Sequence, residues 1–340
     1  MIFSTTAGKF RGGAFNRFGH TYDDIISPEN LLRAWLEFVQ GKKQRSDVQQ
    51  FQLRLMENIL DLHYELKNKT YKHSAYEHFV ITDPKPRDIH KASVRDRLLH
   101  HAIHRVLYPY FDNLFMTNSY SCRLNKGNHK AVDMFRAYAF VASANHTKSL
   151  WVLKCDVKRF FASVDHTVLK SLLKEHIDNV NTNWLLEEVI DSFQTKSQKG
   201  LPLGNLTSQL LVNIYLNELD QYIKRVLKAK HYIRFADDFV ILNRDRKFLE
   251  SSLIEIERFL FDKLKLEIHP NKVFIKTLAS GVDFLGWVHF QDHRIPRAAT
   301  RRRIARGVTS NIGKVGVVQS YMGLLSHGNT NKLKRRLFLV

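Results

Sequence analysis

The stretch YIRFADDFVIL, residues 232–242, sets two adjacent aspartates between apolar runs. Carboxylates in the buried middle of a strand are costly without a partner. One resolution is a solvated hairpin turn, where Asp is common. The other is a divalent-cation site at the hairpin tip. A second apolar run, SLWVLKCD, ends on Asp156. A single Asp after a strand most often caps a helix. Three carboxylates at strand ends in two segments form a stronger pattern. If the two segments are neighbours in one sheet, Asp156, Asp237 and Asp238 converge. Hard oxygens of this kind suit Mg2+, with Mn2+ as the alternative; Mg2+ keeps several waters and takes further ligands from substrate phosphates. Two such ions about 4 Å apart can clamp the attacking and leaving oxygens of an in-line phosphoryl transfer. That reaction asks the protein mainly for positioning and charge neutralisation.

The elements that must position these residues follow from periodicity. Residues 28–69 read as helical, with Ser27 as cap and Pro28 at the first helical position. EHFVITDPKPRDIHKA reads as strand, Pro-punctuated turn and return strand. SVRDRLLHHAIHRVLYPYFDNLF reads as a basic helix that stops near Pro109. After the Asp156 strand, Leu169, Leu172, Leu173 and Ile177 fall in helical register. A Gly/Pro loop, KGLPLGN, leads into a long helix from about Thr207. The YIRFADDFVIL hairpin, a helix, a second hairpin in VDFLGWVHFQDHRIP and short basic helical runs from about Arg297 complete the chain. Helices packed on an antiparallel sheet, an α+β fold, is the expected architecture.

The chain has 340 residues, of which 44% are hydrophobic, enough for a substantial core. It carries 53 Lys and Arg against 33 Asp and Glu, a net charge of +20. Such an excess favours a polyanionic partner, nucleic acid first and an anionic membrane surface second. No window approaches the roughly 18 apolar residues of a helical membrane span, so no membrane insertion is expected. The opening MIFSTTAGKFRGGAFNRFGH has no secretory-type apolar core and reads as a basic arm. Cys122 and Cys155 are too far apart for a zinc motif or a disulfide framework, which fits a cytoplasmic location.

In order along the chain, LKCDVKRFFASVDH, GLPLGNLTSQ and YIRFADDFVIL resemble the palm motifs of reverse transcriptases. FADD is similar to the Tyr-x-Asp-Asp box of that family, with Phe235 keeping the ring and losing the hydroxyl. DPKPRDIHKASVRDRLLHHAI and SYSCRLNKGNHKAV resemble the fingers motifs, and LKLEIHPNK and VDFLGWV the motifs after the catalytic hairpin. The resemblance covers about Thr82 to Val288 and implies a right-hand polymerase fold. It implies a basic N-terminal arm over residues 1–26, fingers and palm over 27–294 and a small basic thumb over 295–340. It also implies roles. Asp156, Asp237 and Asp238 would be catalytic, with the Val157 backbone completing the metal site. Lys272 would protonate leaving pyrophosphate, unless it is an ordinary surface lysine. Lys85, Arg87, Arg95 and Arg97 would hold the incoming triphosphate, although single basic residues on so cationic a chain are often merely solvated. Phe161 would crowd a ribose 2′-hydroxyl, with core packing as the alternative, and only one of Phe160 and Phe161 can face the nucleotide. Leu203, Gly204 and Gln209 would lie beside it.

The departures carry information as well. Leu203 stands where many reverse transcriptases have Gln, and LTSQ where intron and retron enzymes usually have Ser-Pro. Both features resemble the enzymes of diversity-generating retroelements and related lineages that serve phage defence. The implied activity is RNA-templated DNA synthesis of low fidelity from dNTPs, with template RNA, a DNA primer or cDNA and a separately encoded accessory protein or non-coding RNA as partners. The alternatives are a defence enzyme making templated or untemplated DNA, and a non-catalytic RNA-binding protein on a polymerase scaffold. The complete aspartate set speaks against the last.

Overall fold

The computed structural model describes residues 18–82, 86–311 and 314–338. The fold opens with a helical layer of α1 (Tyr22–Ile26), α2 (Pro28–Phe38), α3 (Ser46–Leu53) and α4 (Leu55–Lys67). A capping box starts α1: the Thr21 amide donates to the Asp24 carboxylate at 2.7 Å, and the Asp24 amide to the Thr21 hydroxyl at 3.2 Å. Tyr22, Ile25 and Ile26 are buried. The packed body therefore begins within the segment expected to be an arm, whose residues 1–17 lie outside the described residues. Ser27 caps α2 as expected, but the continuous helical reading breaks at 39–45 and at Arg54.

Strands β1 (Glu77–Ile81) and β2 (Arg87–Lys91) form the expected antiparallel hairpin. The following helix, α5 (Val94–Leu114), corrects the expected stop at Pro109, because it runs through the proline. A proline inside a helix removes one hydrogen bond and costs ~3 kcal/mol. Leu107, Tyr108 and Phe111 around it are buried, and their packing keeps the helix continuous. Next come α6 (Asn128–Ala142), β3 (Trp151–Asp156), α7 (Phe160–Ser163), α8 (His166–Lys174), α9 (Val180–Asp191) and α10 (Leu206–Gln221). The chain continues with β4 (His231–Phe235), β5 (Asp238–Asn243), α11 (Arg246–Leu264) and β6 (Phe274–Thr277). The expected second hairpin is a meander of β7 (Val282–Phe284), β8 (Trp287–His289) and β9 (Arg294–Pro296). Basic helices α12 (Ala298–Thr309), α13 (Val315–Leu325) and α14 (Asn331–Phe338) follow.

The central sheet is antiparallel, in the order β4-β5-β3-β6. The two aspartate-bearing segments are thus direct neighbours, as their convergence requires. Alternation sends Leu153, Cys155, Phe239 and Ile241 into the large helical core. Val152, Val240 and Leu242 enter a second core on the other face, with Phe135 of α6 and Phe284 of β7. Lys154, Asp156 and Asp238 continue that second face beyond its apolar cover. The sheet is apolar along most of its length and carboxylate-rich at one end. No helix among the described residues is long and apolar enough to cross a membrane.

Candidate active site

The register of β3 on β5 places Asp156 directly opposite Asp238. Phe235 pairs with Asp238 across the β4–β5 hairpin, which leaves Ala236 and Asp237 as a two-residue turn. Such turns need a positive φ and usually take Gly, Asn or Asp there. Ala236 has φ +54°, a conformation that costs an L-residue ~1–2 kcal/mol. Two hydrogen bonds hold it. The Arg234 guanidinium donates to the Ala236 carbonyl at 3.1 Å, and the Val157 amide donates to the Asp237 carbonyl at 3.1 Å.

The carboxylates have distinct surroundings. The Lys272 Nζ donates to Asp156 Oδ1 at 2.7 Å. Lys154 Nζ lies 3.3 Å from Asp238 Oδ2, while Asp238 Oδ1 is buried with no hydrogen-bond partner. Burial pushes the Asp238 carboxyl up to about 7, against the pull of Lys154. Burial, and then the charge of Asp156, raise Asp237 as well, with Lys272 and Arg87 opposing. Among the described residues, no three His, Cys, Asp or Glu side chains form a ready-made ion cage. An octahedral cation that shares its shell with water and substrate phosphates needs only one or two protein carboxylates. The crowded negative charge of Asp156 and Asp237 fits a divalent cation.

The raised pKa values have a consequence for stability. A carboxylate whose folded pKa exceeds its unfolded value makes folding less favourable once ionised. That cost grows as pH rises from the ordinary carboxylate range to about 7 and is level above. A cation held there would relieve it, and at lower pH protons would compete with the cation. Mg2+ should therefore raise the thermal midpoint more at about pH 8 than at about pH 5.5. Equal shifts in thermal denaturation at the two pH values would contradict this electrostatic account.

The other expected site residues divide sharply. Phe160 is buried in the large core, whereas Phe161 only packs partly against it, so Phe161 is the ring of the pair with an open face. The Leu201 amide donates to the Phe161 carbonyl at 2.7 Å, which ties the 200–205 loop to the Phe161 main chain. At the other end of that loop the His90 amide donates to the Leu203 carbonyl at 3.1 Å. Gly204, at φ +110°, lies under Ile89, whose Cγ2 a Cβ there would meet at 3.0 Å. The β1–β2 hairpin thus closes onto Leu203 and Gly204, with Gln209 half-buried on α10 just beyond. Arg87 lies on β2 within electrostatic reach of Asp237. Lys85 falls outside the described residues.

Arg95 and Arg97 each have carboxylate partners within the protein. The Arg95 guanidinium pairs with Glu65 and Asp96 and covers the Tyr71 ring at 4.7 Å. Arg97 donates to the Asp47 carboxylate at 2.7 Å. Glu65 and Asp47 tie both to the N-terminal helical layer.

Three features escaped the sequence reading. Lys154, two residues before Asp156 on the same strand face, holds Asp238. Arg234 is fully buried and forms a bidentate pair with Asp220 of α10, both contacts at 2.7 Å. Asn205 stands at the N-cap position of α10 without capping it, and donates instead to the His90 carbonyl at 2.8 Å. The available signal was a charged residue inside an otherwise apolar strand, at Lys154 and Arg234, which demands a nearby counter-charge.

The family described as reverse transcriptase (RNA-dependent DNA polymerase) matches residues 72–289, so the chain belongs to the reverse transcriptase family. Protein YkfC of Escherichia coli K12 is 27% identical over 248 residues, covering 62% of this chain and 63% of that protein. The group II intron-encoded protein LtrA of Lactococcus lactis is 22% identical over 318 residues, covering 73% of this chain and 51% of its own length. The retron Ec73 reverse transcriptase of Escherichia coli is 28% identical over 123 residues, covering 31% of this chain and 39% of that protein. The chain therefore spans less than two thirds of each of these relatives. Among solved structures, telomerase from Candida albicans with a telomeric RNA fragment is matched over 76% of this chain and 54% of that one, at 13% identity and a TM-score of 0.48.

Proposed function

We propose that this chain is an RNA-templated DNA polymerase that extends a DNA primer with deoxynucleotides. The observation that carries the reading is the β3–β5 register, which brings Asp156 beside the Ala236–Asp237 turn at the carboxylate end of the sheet. Divalent metal ions serve the reverse transcriptase family generally. Asp156 and Asp237 would hold the ion. In extended backbone the N–H and C=O of one residue point to the same side, so the Val157 carbonyl also faces the turn and can join them. Asp238, held by Lys154, would shape the charge of the site from one step away. A bound divalent ion supplies charge neutralisation to the triphosphate and lowers the pKa of a coordinated hydroxyl. Arg87 would add positive charge from the hairpin above, and Lys272, beside Asp156, would be placed to give a proton to departing pyrophosphate. Phe161 would press on the sugar.

The finer reading is synthesis of low fidelity in a diversity-generating retroelement. Leu203 supports it. Its backbone carbonyl is taken by His90, and its half-buried side chain offers only apolar contact where a Gln could hydrogen-bond. Apolar contact separates similar substrates by only ~1–3 kcal/mol. The test is primer extension on one RNA template by the wild type and by Leu203→Gln, with the products sequenced. The expected outcome is templated cDNA from both, with severalfold fewer errors from Leu203→Gln. Absence of RNA-templated extension would overturn the polymerase reading. Extension with an unchanged error spectrum would overturn the fidelity reading alone and favour a defence role for the enzyme.

A further inference from the structure

We propose that the buried Arg234–Asp220 pair is a positioning device for the turn that carries Asp237, and that it sets the metal affinity of the site. The inference rests on the metal role of Asp237 proposed above. A buried ion pair is a poor way to add stability, because desolvation offsets most of the attraction. This one is placed and satisfied in a way that points to another use. Arg234 Nε and Nη2 each donate to one Asp220 oxygen at 2.7 Å. Nη2 also donates to the Ser119 hydroxyl at 3.0 Å, and Nη1 to Asn213 Oδ1 at 3.2 Å. Asp220 Oδ1 is further fixed by the Tyr232 hydroxyl at 2.6 Å. The Arg234 main chain is pinned on both sides, its amide donating to the Asn118 carbonyl and its carbonyl accepting from the Tyr120 amide, each at 2.9 Å.

So oriented, the guanidinium has one arm left for the active site. Nη1 donates to the carbonyl of Ala236, the residue that adopts φ +54° and immediately precedes Asp237. A strained backbone persists only where its surroundings over-determine it. Here the fork of a buried arginine does so, anchored on a helix rather than on the hairpin itself. Lysine cannot replace it, since a single ammonium cannot span both carboxylate oxygens and the carbonyl.

The experiment measures Mn2+ binding to the full chain by the electron paramagnetic resonance of free Mn2+, with thermal midpoints in parallel. Asp237→Asn serves as the site control and should abolish tight binding. Arg234→Lys keeps a positive charge for Asp220 and should weaken Mn2+ about tenfold, as loss of an outer partner of a metal ligand typically does. Adding Ala236→Gly to Arg234→Lys should recover part of that affinity without restoring the thermal midpoint, because glycine holds a positive φ without help. Purely structural damage would not be rescued in this way. Wild-type affinity in Arg234→Lys, or no recovery in the double variant, overturns the proposal. Wild-type binding by Asp237→Asn overturns the metal-site reading beneath it instead. If Arg234→Lys does not fold, Ser119→Ala loosens the same guanidinium while leaving the ion pair, and unchanged Mn2+ affinity there overturns the proposal.

Discussion

Asp237→Asn is expected to fold normally and to extend a primer about a thousandfold more slowly than the wild type, a loss of ~4 kcal/mol of transition-state stabilisation. Asn keeps the shape of the side chain and removes its charge. The fold should tolerate the change, because the main-chain bond from Val157 to the Asp237 carbonyl does not depend on the side chain. Stability should even rise slightly. Burial and the charge of Asp156 penalise the ionised Asp237, and a neutral amide escapes both. The two readouts therefore move in opposite directions, which separates a functional carboxylate from a structural one. Asp238→Asn provides the contrast. Asp238 is held by Lys154 and is proposed to act one step removed from the ion, so its loss should cost tens-fold rather than a thousandfold. Steady-state extension rates and thermal midpoints of the three proteins decide the matter. Near-wild-type extension by Asp237→Asn would remove the residue from the chemistry.

The parts of this site that were legible in the sequence are those whose logic is local. Asp237 and Asp238 stand out because they interrupt an apolar run within one hairpin, and Asp156 because it ends another. Their meeting needed only one further fact, the pairing of β3 with β5. The roles of basic residues were illegible for the opposite reason. Whether an arginine faces a ligand or a carboxylate depends on partners far along the chain. Arg97 is neutralised by Asp47 and Arg95 by Glu65, both on helices whose placement no short window encodes. Arg234 and Asp220 lie only 14 residues apart, but a helix end, a turn and a strand separate them. Pro109 misled in a related way. A local rule ended the helix there, and the burial of Leu107, Tyr108 and Phe111 overrode it. The choice between Phe160 and Phe161 could not be made from two identical side chains. The structure distinguishes them only by burial, with Phe160 in the core and Phe161 half-buried at its edge.

That difference between the rings underlies the second large effect. Phe161→Ala should raise ribonucleotide incorporation about a hundredfold relative to deoxynucleotides, equivalent to ~2.7 kcal/mol of lost discrimination. A steric gate would work by overlap: the ring would occupy the space that a 2′-hydroxyl needs, so truncation would remove the penalty on ribose and little of the binding of deoxyribose. The ring is only partly packed against the core, so its loss should cost less than the ~3–5 kcal/mol of deleting a fully buried Phe. The loop behind it should stay in place, because the Leu201 amide bonds to the Phe161 main chain and not to its side chain. Phe160→Ala is the matching control and should do the reverse. Phe160 is 2% exposed, so its removal opens a cavity and lowers the thermal midpoint by several degrees without relaxing sugar selection. Competition assays with matched ribo- and deoxynucleotides on both variants, read beside their melting curves, test the pair together. Unchanged sugar discrimination in a folded Phe161→Ala would show that the half-buried ring is not the gate.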